Sequence, residues 1–134
     1  MIRTSFIRLA VVLTALAPLA IPATASADPI PTRVAMSQSA YFVTPGVIDV
    51  QLALSCTPGW WYSVQVQIVQ PQGFNQVFGS TFVNGLCTGQ HQKLAVSVPS
   101  FSFPGWQLGD AVASVTACAE GCDTATREIR VVLR

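Results

Sequence analysis

Apolar and polar residues alternate from Val47 to Cys56. Ile48, Val50, Leu52, Leu54 and Cys56 fall on one parity, Asp49, Gln51, Ala53 and Ser55 on the other. Successive side chains of a strand point to opposite faces, so the pattern predicts a half-buried strand whose inward row ends in a cysteine. Trp60 to Gln70 repeats it, with Trp60, Tyr62, Val64, Val66 and Ile68 on one side and Trp61, Ser63, Gln65, Gln67 and Val69 on the other. That parity places Trp60 in the core and Trp61 outside. Lys93 to Val98 turns Leu94, Val96 and Val98 inward, and Thr126 to Arg134 turns Ile129, Val131 and Leu133 inward.

Three further stretches carry a weaker pattern. Arg33 to Gln38 reads as a strand with Val34 and Met36 inward, continued after a kink by Ala40 to Val43. Val77 to Val83 is a strand interrupted by Gly79, and Asp110 to Cys118 is a strand with small residues on both parities, which leaves its inward face open. Between them lie turn signals at Thr44-Pro45-Gly46, Thr57-Pro58-Gly59, Pro71-Gln72-Gly73 and Asn84-Gly85, where proline pre-sets φ and glycine or asparagine tolerates the positive values a turn requires. Phe101 to Gly109 reads as an aromatic loop that plugs one end of the core, and Asp28 to Thr32, with two prolines, as an extended, mobile lead-in. About seven strands without a helical period predict an all-β fold, an immunoglobulin-like antiparallel β-sandwich, with a small closed barrel as the competing architecture.

The first 27 residues are set apart from this pattern. Arg3 and Arg8, the apolar run Leu9 to Ala20, Pro22 and the small triplet Ala25-Ser26-Ala27 make a signal peptide with cleavage before Asp28. Removing 27 of the 134 residues leaves 107, one domain spanning residues 28–134. An uncleaved anchor is the alternative, but the apolar run is short of the roughly 20 residues a bilayer requires. Arg3 and Arg8 leave with the signal, so five of the seven basic residues face six acidic ones, a net of −1. That balance gives no electrostatic reason to expect nucleic acid or anionic lipid as a partner.

All four cysteines lie in the exported part, which predicts two disulfides rather than a zinc site. If the strands run alternately up and down, Cys56 and Cys118 end strands at one end of the domain, and Cys87 and Cys122 begin strands returning from it. The second and fifth strands of an immunoglobulin topology are neighbours, so Cys56 pairs with Cys87 and Cys118 with Cys122. The Thr57-Pro58-Gly59 turn, Trp61 and the loop from Asn84 to Gln90 gather at the same end. Pro58, Trp61 and Asn84 are therefore the candidate ligand-binding residues.

Catalytic chemistry has little material. His91 is the single histidine, no G-x-S-x-G element accompanies it, and Asp49, Asp110, Glu120, Asp123 and Glu128 read as turn or outer-face residues. The expectation is a protein that is not an enzyme and has no cofactor or metal. Its function would be a secreted, non-catalytic binding module for an extracellular protein, a glycan or a small apolar molecule, with a structural exported domain as the alternative.

The signal peptide, the Leu-Ser-Cys56 strand end, Cys87 before an alternating strand, and Val-Thr-Ala-Cys118 with Cys122 resemble small exported actinobacterial domains of immunoglobulin-like fold. That resemblance implies a fold and a location without an activity. The short Cys118–Cys122 bridge is more loosely similar to the neocarzinostatin-type apo-chromoproteins, which would imply a small-molecule carrier. Their other bridge closes a short loop, whereas Cys56 to Cys87 spans two strands.

Overall fold

The computed structural model describes residues 29–134, so the expected signal peptide, 1–27, and Asp28 lie outside the described residues. Among the described residues seven strands follow one another without a helix: β1 (Arg33–Thr44), β2 (Val47–Ser55), β3 (Trp61–Gln72), β4 (Asn75–Leu86), β5 (Gln92–Pro99), β6 (Gly109–Cys118) and β7 (Cys122–Val132). They hydrogen-bond into one sheet in the order β4-β3-β6-β7-β1-β2-β5. The expected pair of separate antiparallel sheets is therefore corrected to a single sheet curled nearly into a barrel.

The strand that makes the sheet continuous is β1. It pairs antiparallel with β2, shifts register between Met36 and Ala40, and pairs in parallel with β7 at Ser39↔Arg130, Ala40↔Val131 and Tyr41↔Val132. Before that point β7 reaches β1 through side chains. Asp123 Oδ2 accepts from the Val34 N–H at 2.9 Å and an Arg127 guanidinium nitrogen donates to the Met36 carbonyl at 2.8 Å. The two edge strands, β4 and β5, are tied at both ends: just beyond β5 the Phe101 N–H donates to the Phe78 carbonyl at 2.8 Å, and at the start of β5 the Gln92 side-chain amide donates to the Leu86 carbonyl at 3.2 Å.

The inward rows fill one core. Ile48, Val50, Leu52, Leu54 and Cys56 are buried as the alternation requires, as are Tyr62, Val64, Val66 and Ile68. In β6 the inward parity, which the sequence left open, is Ala111, Ala113, Val115 and Ala117. The buried tryptophan is Trp106, 1% exposed, in the loop between β5 and β6, with its indole N–H on the Val98 carbonyl at 3.0 Å. The loop does plug the core, but through Trp106; Phe101 and Phe103 stay on the surface. Gln70, at the end of the Trp60 to Gln70 alternation, is buried and clamps this loop. Its amide donates to the Gln107 carbonyl at 2.8 Å and accepts from the Gln107 N–H at 2.9 Å.

Four other expectations are corrected. Trp60 is 47% exposed, because the Thr57–Trp60 turn ends at it and β3 begins one residue later. Leu133 is exposed, since β7 stops at Val132. The lead-in is pinned where it is described: the Ile30 N–H donates to Thr57 Oγ1 at 2.9 Å. Asn84-Gly85 is not a turn but the middle of the β3–β4 ladder, opposite Ser63 and Tyr62. A Cβ at Gly85 would collide with the Tyr62 ring, so this glycine gives a buried aromatic room across the ladder.

Candidate functional site

The two disulfides close the same end of the domain. Cys56, one residue beyond β2, is joined to Cys87, one residue beyond β4, and Cys118 is joined to Cys122 across the β6–β7 turn. Cys87 follows the end of β4 directly and lies five residues before β5, rather than beginning a returning strand. The β2–β3 turn holds it there: Cys87 donates its N–H to the Trp60 carbonyl at 2.8 Å, and its own carbonyl accepts from the Gly59 N–H at 3.1 Å. Beside these bonds, a Cβ on Gly89, whose φ is 87°, would lie 3.1 Å from Pro58.

Trp61 and Asn84 share the outer face of the sheet. In an antiparallel ladder, residues directly opposite each other project to one side. The register sets Leu86 beside Trp61, Asn84 beside Ser63, Phe82 beside Gln65, Ser80 beside Gln67 and Phe78 beside Val69. The same rows continue through Ser63↔Cys118, Gln65↔Thr116, Gln67↔Ser114 and Val69↔Val112 into β6. Trp61 is 70% exposed and Phe82 59%, with Phe78, Leu86 and Val112 also open to solvent. Pro58 is exposed too, in the turn beyond the end of this face rather than on it. Trp61 and Asn84 are brought together, therefore, with Pro58 at the rim.

The electrostatics of the face are simple. Neither β3 nor β4 contains a charged residue. Polar groups there are amides and hydroxyls, extended across β6 and β7 by the Ser114–Thr126 and Thr116–Thr124 hydroxyl pairs, each 3.2 Å apart. Charge enters across β6 and β7, where Glu128 stands beside Val112 and Arg130 and Asp110 form an exposed pair at 3.3 Å. An exposed ion pair of that kind contributes little.

Sequence reasoning did not nominate Phe78, Phe82 and Leu86. The signal was present, since they are spaced by four on the parity opposite Val77 and Val83, but the expected turn at Asn84-Gly85 cut the row before Leu86. The described grooves lie elsewhere. An open groove of about 450 Å³ runs between the lead-in, Pro29 to Arg33, and Glu120 to Cys122. Another, about 380 Å³, lies over β1 and β2 beside Lys93. Neither is lined by an aromatic residue. Among the described residues no group of three or more His, Cys, Asp or Glu converges as metal ligands do.

No family model matches the sequence, and no curated protein matches it. Neither the exported actinobacterial domains nor the apo-chromoproteins gain support from these comparisons. Among solved structures, the chain is similar to that of murine CRIg, at 11% identity and a TM-score of 0.41, over 78% of this chain and 99% of that one. A likeness that weak transfers no residue role and no partner.

Proposed function

We propose that this protein is an exported, non-catalytic recognition module that meets its partner through the outer face of β3 and β4 around Trp61. The observation that carries the reading is an uncharged sheet face on which Trp61, Phe78, Phe82 and Leu86 stand open to solvent between rows of glutamine, asparagine and serine. A tryptophan ring offers flat apolar area with few torsions to fix on binding, and neighbouring amides supply neutral hydrogen bonds. The partner that suits such a surface is flat and uncharged, a sugar ring or a neutral protein surface, rather than an ionic one. A buried small-molecule carrier suits it less, because the grooves of about 450 Å³ beside the lead-in and about 380 Å³ over β1 and β2 are open and lack aromatic walls.

The fold reads as immunoglobulin-like through the β2–β5 pairing and the passage of β1 from β2 to β7. Two disulfides suit an oxidising, extracellular setting. Among the described residues no helix is long and apolar enough to cross a membrane. The reading is tested by retention on immobilised neutral polysaccharides (cellulose, chitin and dextran), comparing the unmodified protein with Trp61→Ala. Retention that needs Trp61 and survives added salt supports it. Retention that salt abolishes, or that ignores Trp61, contradicts it.

A further inference from the structure

The end of the sheet opposite the disulfides is built from three turns. β1 passes to β2 through Pro45 and Gly46, β3 to β4 through Gly73 and Phe74, and β5 to β6 through the loop from Ser100 to Leu108. Phe74 sits in the second turn and Phe103 in the third. Theirs are the most open large apolar side chains among the described residues, at 110% and 94% exposure. Phe101 and Leu108 on the same loop, and Leu133 just beyond β7, add exposed apolar surface at this end. Apolar surface gathered in one place, rather than scattered singly, marks an interaction site.

The three turns are bound to one another from beneath. The Trp106 N–H donates to the Pro45 carbonyl at 2.7 Å, the Ser100 N–H to the Gly46 carbonyl at 2.9 Å, and the Gln72 side-chain amide to the Gly105 carbonyl at 2.8 Å. The loop thus divides its aromatic residues, sending Trp106 into the core and holding Phe103 out. These bonds also occupy backbone groups that would otherwise lose water on entering an apolar phase. Charge is absent from the turns. Between Val34 and Gly109 the only charged side chains are Asp49 and Lys93, and Lys93 lies at the cysteine end of β5. Asp49 is paired with Arg134 at 3.6 Å, and the Arg134 guanidinium lies 4.9 Å from the centre of the Tyr41 ring, so the last residue is folded back against β1 and β2.

We propose that this end docks reversibly on a neutral lipid bilayer, with Phe74 and Phe103 immersed at the boundary between headgroups and acyl chains. Two rings that project from separate turns would need a matching pocket each on a protein partner. A fluid interface receives prongs in any arrangement, and its hold scales with the apolar area immersed. The uncharged turns point to zwitterionic lipid, since there is no basic cluster at the tips for an anionic headgroup and no carboxylate there to be repelled. Phe74 and Phe103 lie at the opposite end of the sheet from Trp61, which begins β3. Docking therefore leaves Trp61 in water and is independent of what Trp61 binds.

The test is flotation of the exported, oxidised protein with phosphatidylcholine vesicles over a range of lipid concentration, with amide exchange of the vesicle-bound protein read in parallel. The unmodified protein floats with the vesicles, added salt does not release it, and the amides of Phe74 and Phe103 exchange more slowly. Phe74→Ser and Phe103→Ser each lower the partition coefficient about tenfold, and the double variant stays with the buffer while melting like the parent. Trp61→Ala floats like the unmodified protein. Failure to float with phosphatidylcholine overturns the proposal, as does binding confined to anionic phosphatidylglycerol vesicles or flotation that survives the double variant. Self-association in buffer that needs both rings, without flotation, overturns it in favour of a second copy as the occupant.

Discussion

Removing the Cys56–Cys87 bridge should cost about twice as much stability as removing Cys118–Cys122. The two bridges have sequence separations of 31 and 4 residues. The loop-closure relation then gives about 3.7 kcal/mol for the first and about 1.9 kcal/mol for the second. Burial widens the gap, because Cys56 and Cys87 are core residues, whereas Cys118 is half-buried and Cys122 exposed. For a domain of this size the unfolding entropy converts those figures to Tm losses of about 15 °C and about 8 °C. The first is a large part of a typical total stability of about 5–15 kcal/mol. Calorimetry on Cys56→Ala/Cys87→Ala and Cys118→Ala/Cys122→Ala, each checked for reversibility, reads the difference directly. Equal Tm losses in the two double variants would refute the loop-length argument.

Two substitutions probe how the loop between β5 and β6 is seated. Gly79→Ala should destabilise by about 3 kcal/mol or more, since its Cβ would collide with the Pro99 carbonyl and lie 2.8 Å from the Trp106 ring; a urea midpoint unchanged from the parent would contradict that packing. Gln70→Met, close in volume, leaves the Gln107 N–H and carbonyl without their side-chain partner. It should cost about 2–4 kcal/mol, and faster amide exchange at Gln107 would locate the loss.

Strands with one clean apolar parity were legible because burial acts on side chains through a period of two. Ile48 to Leu54 and Tyr62 to Ile68 lie inward for that reason. What periodicity could not supply was tertiary. Trp60 shares the parity of Tyr62, but the Thr57–Trp60 turn hydrogen bond takes it out of the strand, and the tryptophan that fills the core comes from the loop at Trp106. Asn84-Gly85 has the composition of a turn but sits in the unbroken β3–β4 ladder, where the glycine leaves room for the Tyr62 ring. The parallel contact of β1 with β7 leaves no local trace, and without it the fold looks like two sheets. At the candidate site, Trp61 was legible from parity, whereas the companion row of Phe78, Phe82 and Leu86 depended on β4 continuing past Gly85.

The central claim is that Trp61 serves recognition rather than the fold. It is tested most directly by pairing, for Trp61→Ala, a titration against a polysaccharide that retains the unmodified protein with a thermal melt of the same sample. At 70% exposure the ring has little packing to lose, about 0.5 kcal/mol, so Tm should move by only about 2–3 °C. Affinity should fall about tenfold or more, the loss of one stacked ring. An unchanged affinity, or a Tm loss as large as that of a core substitution, would contradict the account.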